Sequence, residues 1–385
     1  MKKKNNNIQI LRFLGIMCLS ILLGYFAGKF GFKLAFTLPK LGIIGLFLLI
    51  VPIVFFVIAF HEAGHAVAGI KVGFDFRMYV VGPFLWEREQ GKWIFKWNKN
   101  VNIAGGMVLC LPVGVANLNK RFLVYAAGGP IASLILSFFS SILFYWLLPT
   151  DTAGHNILRL VSYSCLILSF FSFLIFVVTA IPFHSGGFSS DGARVLRLIK
   201  GGEAARLEIL FLKIVTEVTS GIRPSKLNKN DLEAALAIAL ELNAPFLVYI
   251  YGFLHQVTFD EGNIVDAEKY LQAYIEHAND IPEGIRNSVW LDAAFFYAFA
   301  KQDMENATAY FNQFKPAAMI PKAQILATEA VLYFHKNEIE LFIEKRIAAE
   351  KELPNMIDKG GAVALREKLY SINLLPNSFL KANNV

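Results

Sequence analysis

Charge is scarce in this 385-residue chain: Asp, Glu, Lys and Arg together make up 17%, against about 25% in an ordinary soluble domain. Acidic residues are scarcest in the first half, with six among residues 1–200 beside 19 basic ones. Residues 201–385 reverse the balance, with 24 acidic and 18 basic. Cysteine is almost absent. Cys18, Cys110 and Cys165 stand far apart and form no C-x-x-C pair, which argues against a disulfide-stapled secreted fold and a thiolate metal site. No P-loop, dinucleotide fingerprint or nucleophile elbow occurs, so nucleotide-dependent and serine-hydrolase chemistry lack their usual carriers. What fills the space is apolar: 55% hydrophobic residues and a mean hydropathy of +0.48, too much for a water-soluble globule to hide. The two halves read as parts made for two solvents, a bilayer and then water.

Four apolar stretches, roughly 13–36, 41–66, 122–148 and 160–183, are long enough to cross a bilayer as helices. The first follows Met1-Lys2-Lys3-Lys4 with no small-x-small cleavage site behind it, which predicts a retained membrane helix. Placing residues 1–12, 71–121 and 194–200 on one side gathers 15 Lys and Arg there, against Lys29, Lys33, Lys40 and Arg159 on the other. The positive-inside bias makes that side the cytoplasm and predicts a multi-pass cell-membrane protein with both termini cytoplasmic. The same bias, with acidic lipid headgroups, explains the basic loops, so no nucleic-acid partner is expected.

Two shorter segments interrupt the helical pattern. Phe84–Asn98 mixes apolar and charged residues around Gln90-Gly91, with Trp86, Trp93 and Trp97. It reads as a hairpin, either lying on the membrane surface or offering a strand edge to a substrate. Residues 101–119 are uncharged but carry Gly105-Gly106, Pro112 and Gly114, which suits a re-entrant or interfacial segment better than a lipid-exposed helix. Beyond Lys200, the segments 230–240, 263–275, 303–314 and 337–350 each open with Asn or Asp, at offsets of 33, 40 and 34. Such a period is that of helix pairs with capped second helices. It resembles a degenerate tetratricopeptide-type array, whose concave face would hold a protein partner; a plain helical bundle is the alternative.

The chemistry concentrates in His61-Glu62-Ala63-Gly64-His65, at the end of the second apolar stretch. On a helix, positions i and i+4 lie on one face one turn apart, so both imidazoles reach one metal with Glu62 beside it. Ionisable groups inside a membrane helix are costly and usually mark a function. Two His ligands leave a catalytic zinc short of a third protein ligand. Asp191 follows the fourth span and returns to the cytoplasmic side, at the depth of His61 and His65. It is either that ligand or the cap of a helix starting at Gly192. A fifth span at 101–119 would carry Asp191 to the opposite leaflet, which a shared ion forbids. His184 is a candidate oxyanion donor or alternative ligand, or an ordinary surface His.

H-E-A-G-H on a membrane helix, Gly128-Gly129-Pro130 in a later one, and the run from Pro182 to Asp191-Gly192 together resemble the site-2 protease family of intramembrane zinc metalloproteases, over roughly residues 41–199. The resemblance implies that His61, His65 and Asp191 bind one zinc and that Glu62 is the general base. Gly129, Pro130 and Pro182 then fall at the family's substrate or helix-orienting positions, and Gly105-Gly106 at its Gly-Gly stretch. Thr179 and Ser133 stand where many members carry Asn, a departure that touches substrate handling more than metal binding.

The expected architecture is mainly α. It has an N-terminal membrane helix in 1–40, a membrane-embedded metalloprotease core in 41–200 with a small β-hairpin or re-entrant insertion, and a cytosolic helical-repeat domain in 201–385. The expected activity is zinc endopeptidase cleavage of membrane-spanning proteins or peptides near the cytoplasmic face. The rivals are a catalytically silent membrane scaffold presenting the repeats to a partner, and a zinc transporter; the latter would need an ionisable relay through the spans, which the sequence does not offer.

Overall fold

The computed structural model describes residues 29, 38–89, 91–98, 104–148, 156–185, 188–244, 246–281, 283–316 and 320–372. Apart from Lys29, the expected helix at 13–36 lies outside these residues, as do Gly186-Gly187 of the run from Pro182 to Asp191. Among the described residues, three helices are long and apolar enough to cross a membrane: α1 (Lys40–Lys71), α2 (Leu118–Leu147) and α3 (Asn156–Ala180). They match the expected spans at 41–66, 122–148 and 160–183. Large apolar side chains such as Phe47, Leu48, Phe138 and Trp146 stand exposed on them, as lipid-facing residues do.

The described residues form two compact units, one of those up to Val57 with those in Ser133–Ile175 and one of those in Ile58–Ala132 with those from Phe176 onward. In the first, α2 and α3 are joined by serines. Ser137 Oγ donates to the Ser169 carbonyl at 3.0 Å and Ser169 Oγ returns a bond to the Ser137 carbonyl at 2.9 Å. Ser172 Oγ donates to the Ser133 carbonyl at 2.8 Å, and Ser162 Oγ to that of Phe144 at 3.0 Å. Small hydroxyl residues let two membrane helices approach closely while every polar hydrogen finds an acceptor.

The second unit opens with an antiparallel sheet of β1 (Phe74–Val81), β2 (Phe84–Glu89), β3 (Lys92–Trp97) and β4 (Met107–Pro112), in the order β3-β2-β1-β4. The hairpin is present as β2 and β3, with Glu89 opposite Lys92 and Gly91 at φ +80° in the turn. Residues 101–119 differ from a re-entrant segment, because Met107–Pro112 pairs with β1 along its length. Pairing satisfies the backbone of this uncharged run without a helix. Phe74, Cys110, Phe122 and Leu198 form a small core beneath the sheet.

The short strands β5 (His184–Ser185) and β6 (Phe188–Ser189) lead into α4 (Asp191–Lys200) and α5 (Glu203–Ser220). Eight more helices follow: α6 (Lys229–Leu242), α7 (Leu247–Asp260), α8 (Ile264–Glu276), α9 (Glu283–Phe296), α10 (Met304–Gln313), α11 (Lys322–His335), α12 (Ile339–Glu352) and α13 (Lys359–Ser371). Neighbours pack in pairs, α5 with α6, α7 with α8, α9 with α10 and α11 with α12. Asn263 and Asp303 cap α8 and α10 as their spacing predicts. The cap of α6 is Asn228, two residues before the expected Asn230, and Asn337 takes a left-handed turn at φ +59° ahead of α12 instead of capping it. The last helix, α13, packs back on α5, and Arg223, Asp260, Glu367 and Lys368 tie the junction by ion pairs.

Candidate metal centre

His61, Glu62 and His65 occupy one buried turn of α1. The turn lies against α2 through glycines. A Cβ on Gly64 would collide with the Gly128 carbonyl, and one on Gly128 with the Gly64 carbonyl, so the two backbones touch. Gly129 comes next on α2, and a Cβ there would overlap the Nε2 atoms of both His65 and His61. Pro130, inside α2, has no N–H and leaves the Ala126 carbonyl without its helical donor. One residue earlier, the Tyr125 carbonyl accepts His65 Nδ1–H at 2.9 Å. That bond fixes the ring and the tautomer and leaves the Nε2 lone pair free for a ligand role.

Asp191 arrives from the other side. Ser190 caps α4: its Oγ accepts from the backbone N–H of Ala193 at 3.2 Å and of Phe183 at 3.1 Å, and donates to the Ile181 carbonyl at 2.8 Å. Asp191 is therefore the first helical residue and not the cap, so its carboxylate is free to point into the site. Gly192 presses on the last turn of α3, where a Cβ would strike the Ala180 carbonyl. Asp191 Oδ2 stands 3.4 Å from His61 Nε2 and 3.2 Å from His65 Nε2.

These residues fit a zinc ion. One donor atom from each of His61, His65 and Asp191 lies within 4.8 Å of the other two. Two ligands at the usual 2.0–2.1 Å from a tetrahedral zinc stand roughly 3.3 Å apart, which the two Nε2–Oδ2 distances match. With Nδ1–H spent on Tyr125, neutral His65 turns a lone pair toward a carboxylate oxygen, an arrangement that calls for a cation between them.

The cavity over this group, about 270 Å³, is lined by His61, Glu62, His65, Asp191 and Arg194, by Met107 and Val108 of β4, and by Thr179. Gly106, at φ +109°, lies directly on Glu62, since a Cβ there would come within 2.6 Å of Oε1. Gly105 faces open space, and a Cβ there would meet nothing. Pro182 is exposed after α3, and His184 pairs through its backbone with Ser189. Sequence reading missed Tyr125, Ser190 and Glu208. Glu208 on α5 is buried and accepts Arg197 Nη1–H at 2.6 Å, while Arg197 Nη2 donates to Ser189 Oγ at 2.9 Å. The pair thereby fastens the loop before Asp191. A serine at 190, ahead of the helical run from Asp191, was a legible N-cap signal; a backbone carbonyl such as that of Tyr125 leaves none.

Two imidazoles and a carboxylate beside a buried glutamate, next to long apolar helices, are the constellation of a membrane-associated metalloprotease. The model of peptidase family M50 matches residues 48–343, and the chain belongs to that family. Membership implies membrane-associated metalloprotease function, and the family's proteases are zinc-dependent. The match extends past the motif-bearing segment and through most of the helical region. Neither the curated proteins nor the solved structures include a match to this chain.

Proposed function

We propose that the chain is an intramembrane zinc endopeptidase that cleaves membrane-spanning proteins or peptides near the cytoplasmic face. Residues 1–40 would form an N-terminal membrane helix, 41–200 the membrane-embedded protease core, and 201–385 a cytosolic helical domain that selects or regulates substrate through a protein partner. The observation that carries this reading is the convergence of His61 Nε2, His65 Nε2 and Asp191 Oδ2 beside Glu62. His61, His65 and Asp191 would hold one zinc, which when bound polarises the peptide carbonyl and lowers the pKa of an attacking water.

Glu62 is the base. It removes a proton from the water as oxygen adds to the carbonyl carbon, then delivers that proton to the amine as the C–N bond breaks. Burial of Glu62 suits a carboxyl that must both accept and return a proton. A membrane helix conceals its carbonyls in i to i−4 bonds, so the substrate has to be unwound before attack. The edge strand β4, whose Met107 and Val108 line the same cavity, is placed to hold an extended peptide by main-chain pairing. A proline at Met107 should then slow cleavage while zinc stays bound; unchanged cleavage would remove β4 from substrate binding.

The deciding experiment reconstitutes the full chain in vesicles with a membrane-spanning reporter and compares it with Glu62→Gln. Cleavage by the wild type alone, with equal zinc in both, supports the reading. Equal cleavage by both removes Glu62 as the base. No cleavage by a zinc-loaded wild type across a set of reporters favours the silent scaffold.

A further inference from the structure

The helical region encloses a second cavity, of about 240 Å³, between α7, α9, α11 and α13. Its wall is mixed. Phe295, Met356 and Leu365 give it an apolar floor, while His255, Asp292 and Asp358 bring polar atoms to it. His255 is 2% exposed. Its Nδ1–H donates to the Ala267 carbonyl at 2.9 Å, which leaves Nε2 as a bare acceptor with no protein partner, in a residue that lines the cavity. Burial pushes the imidazole down to about 4, so it is neutral and cannot turn that atom into a donor.

Asp292 gives Oδ1 to the side-chain amide of Gln324 and has no second protein donor. Burial, with a smaller push from Asp358, raises its carboxyl to about 7. Asp358 is itself raised to about 6 by burial, although the Gly361 N–H bonds to it. Lys368, the cation on this wall, is already engaged: its Nζ lies 3.4 Å from Asp260 Oδ1 and 4.5 Å from the centre of the Phe259 ring. The pocket therefore holds surplus acceptors and two carboxyls that have no cation to pair with when ionised. These groups do not gather on one point. Among the described residues the only group of His, Cys and acidic side chains close enough to share a metal ion is that of His61, His65 and Asp191. What would satisfy His255, Asp292 and Asp358 is a polyatomic donor.

We infer that this cavity is a binding site for a small organic ammonium ion, whose N–H groups donate to Asp292 and His255 and whose apolar body lies against Phe295, Met356 and Leu365. The size agrees. A 150 Å³ apolar cavity holds one benzene, so this one accommodates a ring with a short amine arm. The site is separate from the metal centre and does not depend on the protease reading.

The test uses two probes of nearly equal shape, 2-phenylethylammonium and the neutral 2-phenylethanol, titrated calorimetrically into the zinc-loaded full chain in detergent. The ammonium ion should bind saturably and at least tenfold more tightly than the alcohol. Asp292→Asn, which keeps the Gln324 bond, should remove most of that preference. Equal affinity for the two probes in the wild type overturns the site, as does no saturable binding of the ammonium ion up to millimolar concentration. Ammonium binding unchanged in Asp292→Asn overturns it too, since it would then reside elsewhere on the protein or in the micelle. The probe comparison needs only the wild type, so the inference stays testable even if the variant fails to fold.

Discussion

Among the described residues, buried imidazoles stand beside carboxylates both at the metal centre and around the helical cavity, and the two places differ in one geometric respect. At the turn of α1, His61, His65 and Asp191 aim their donor atoms at a common point. Around the helical cavity, His255, Asp292 and Asp358 line a wall without converging. The same residue types thus suit different ligands: three donor atoms within 4.8 Å of one another suit one ion, and dispersal over a cavity suits a molecule. What enforces convergence is glycine. Gly64, Gly128, Gly129 and Gly192 each lack a Cβ where one would collide with a neighbouring backbone or with the imidazoles. In the second group a glycine crowds one member, Gly361 against Asp358, and among the described residues none lies against His255 or Asp292.

The contrast can be broken most sharply by removing a converging ligand. Asp191→Ala or His65→Ala should take zinc from about one per chain to near zero by plasma mass spectrometry, with reporter cleavage at background; His255→Ala should leave zinc unchanged. Glu62→Gln comes next, keeping zinc while cleavage falls on the order of 10²–10⁴-fold, the usual contribution of a general base. Gly129→Ala should weaken zinc binding by roughly 10–100-fold in a chelator competition, as disturbing the support of a ligand commonly does; unaltered affinity would show that the helix spacing has slack. The smallest effect concerns the dispersed group. Asp292 has a folded-state carboxyl raised from 3.8 to about 7, so the folded chain holds a proton that the unfolded chain has lost. Wild-type stability should therefore decline from about pH 4 to about pH 7 and level off above it, and Asp292→Asn should escape that decline. The melting temperature of the variant relative to wild type should rise between pH 5 and pH 8, on the order of a few °C. A gap that narrows instead would mean that Asp292 is not buried as described.

How much of this was legible beforehand follows the range of the interactions involved. The H-E-A-G-H turn needs only the helical period, and the i, i+4 pair lies where that period puts it. Asp191, 126 residues beyond His65, came within reach of the sequence because membrane depth is a global constraint that few residues satisfy. The hairpin was visible in its local alternation. Strands β1 and β4 were not, because β4 finds its partner some 30 residues away and carries no turn signal of its own with β1. Asn263 and Asp303 read correctly as caps from local spacing, whereas the cap of α6 moved to Asn228 within the polar run before it. The return of α13 onto α5 pairs Arg223 with Glu367, 144 positions apart. Helix-pair spacing describes neighbours only, and so it could foresee neither that closure nor the cavity α13 helps to wall.

The contact of Gly64 with Gly128 carries a consequence for how such a site can change over time. Its accuracy comes from atoms left out, as in a dovetail cut from two beams. Adding even a methyl group at either position would prise the beams apart, and no single compensating replacement can shrink below hydrogen. The outer surface of each helix can drift freely through the apolar alphabet, while this one crossing has nowhere smaller to go.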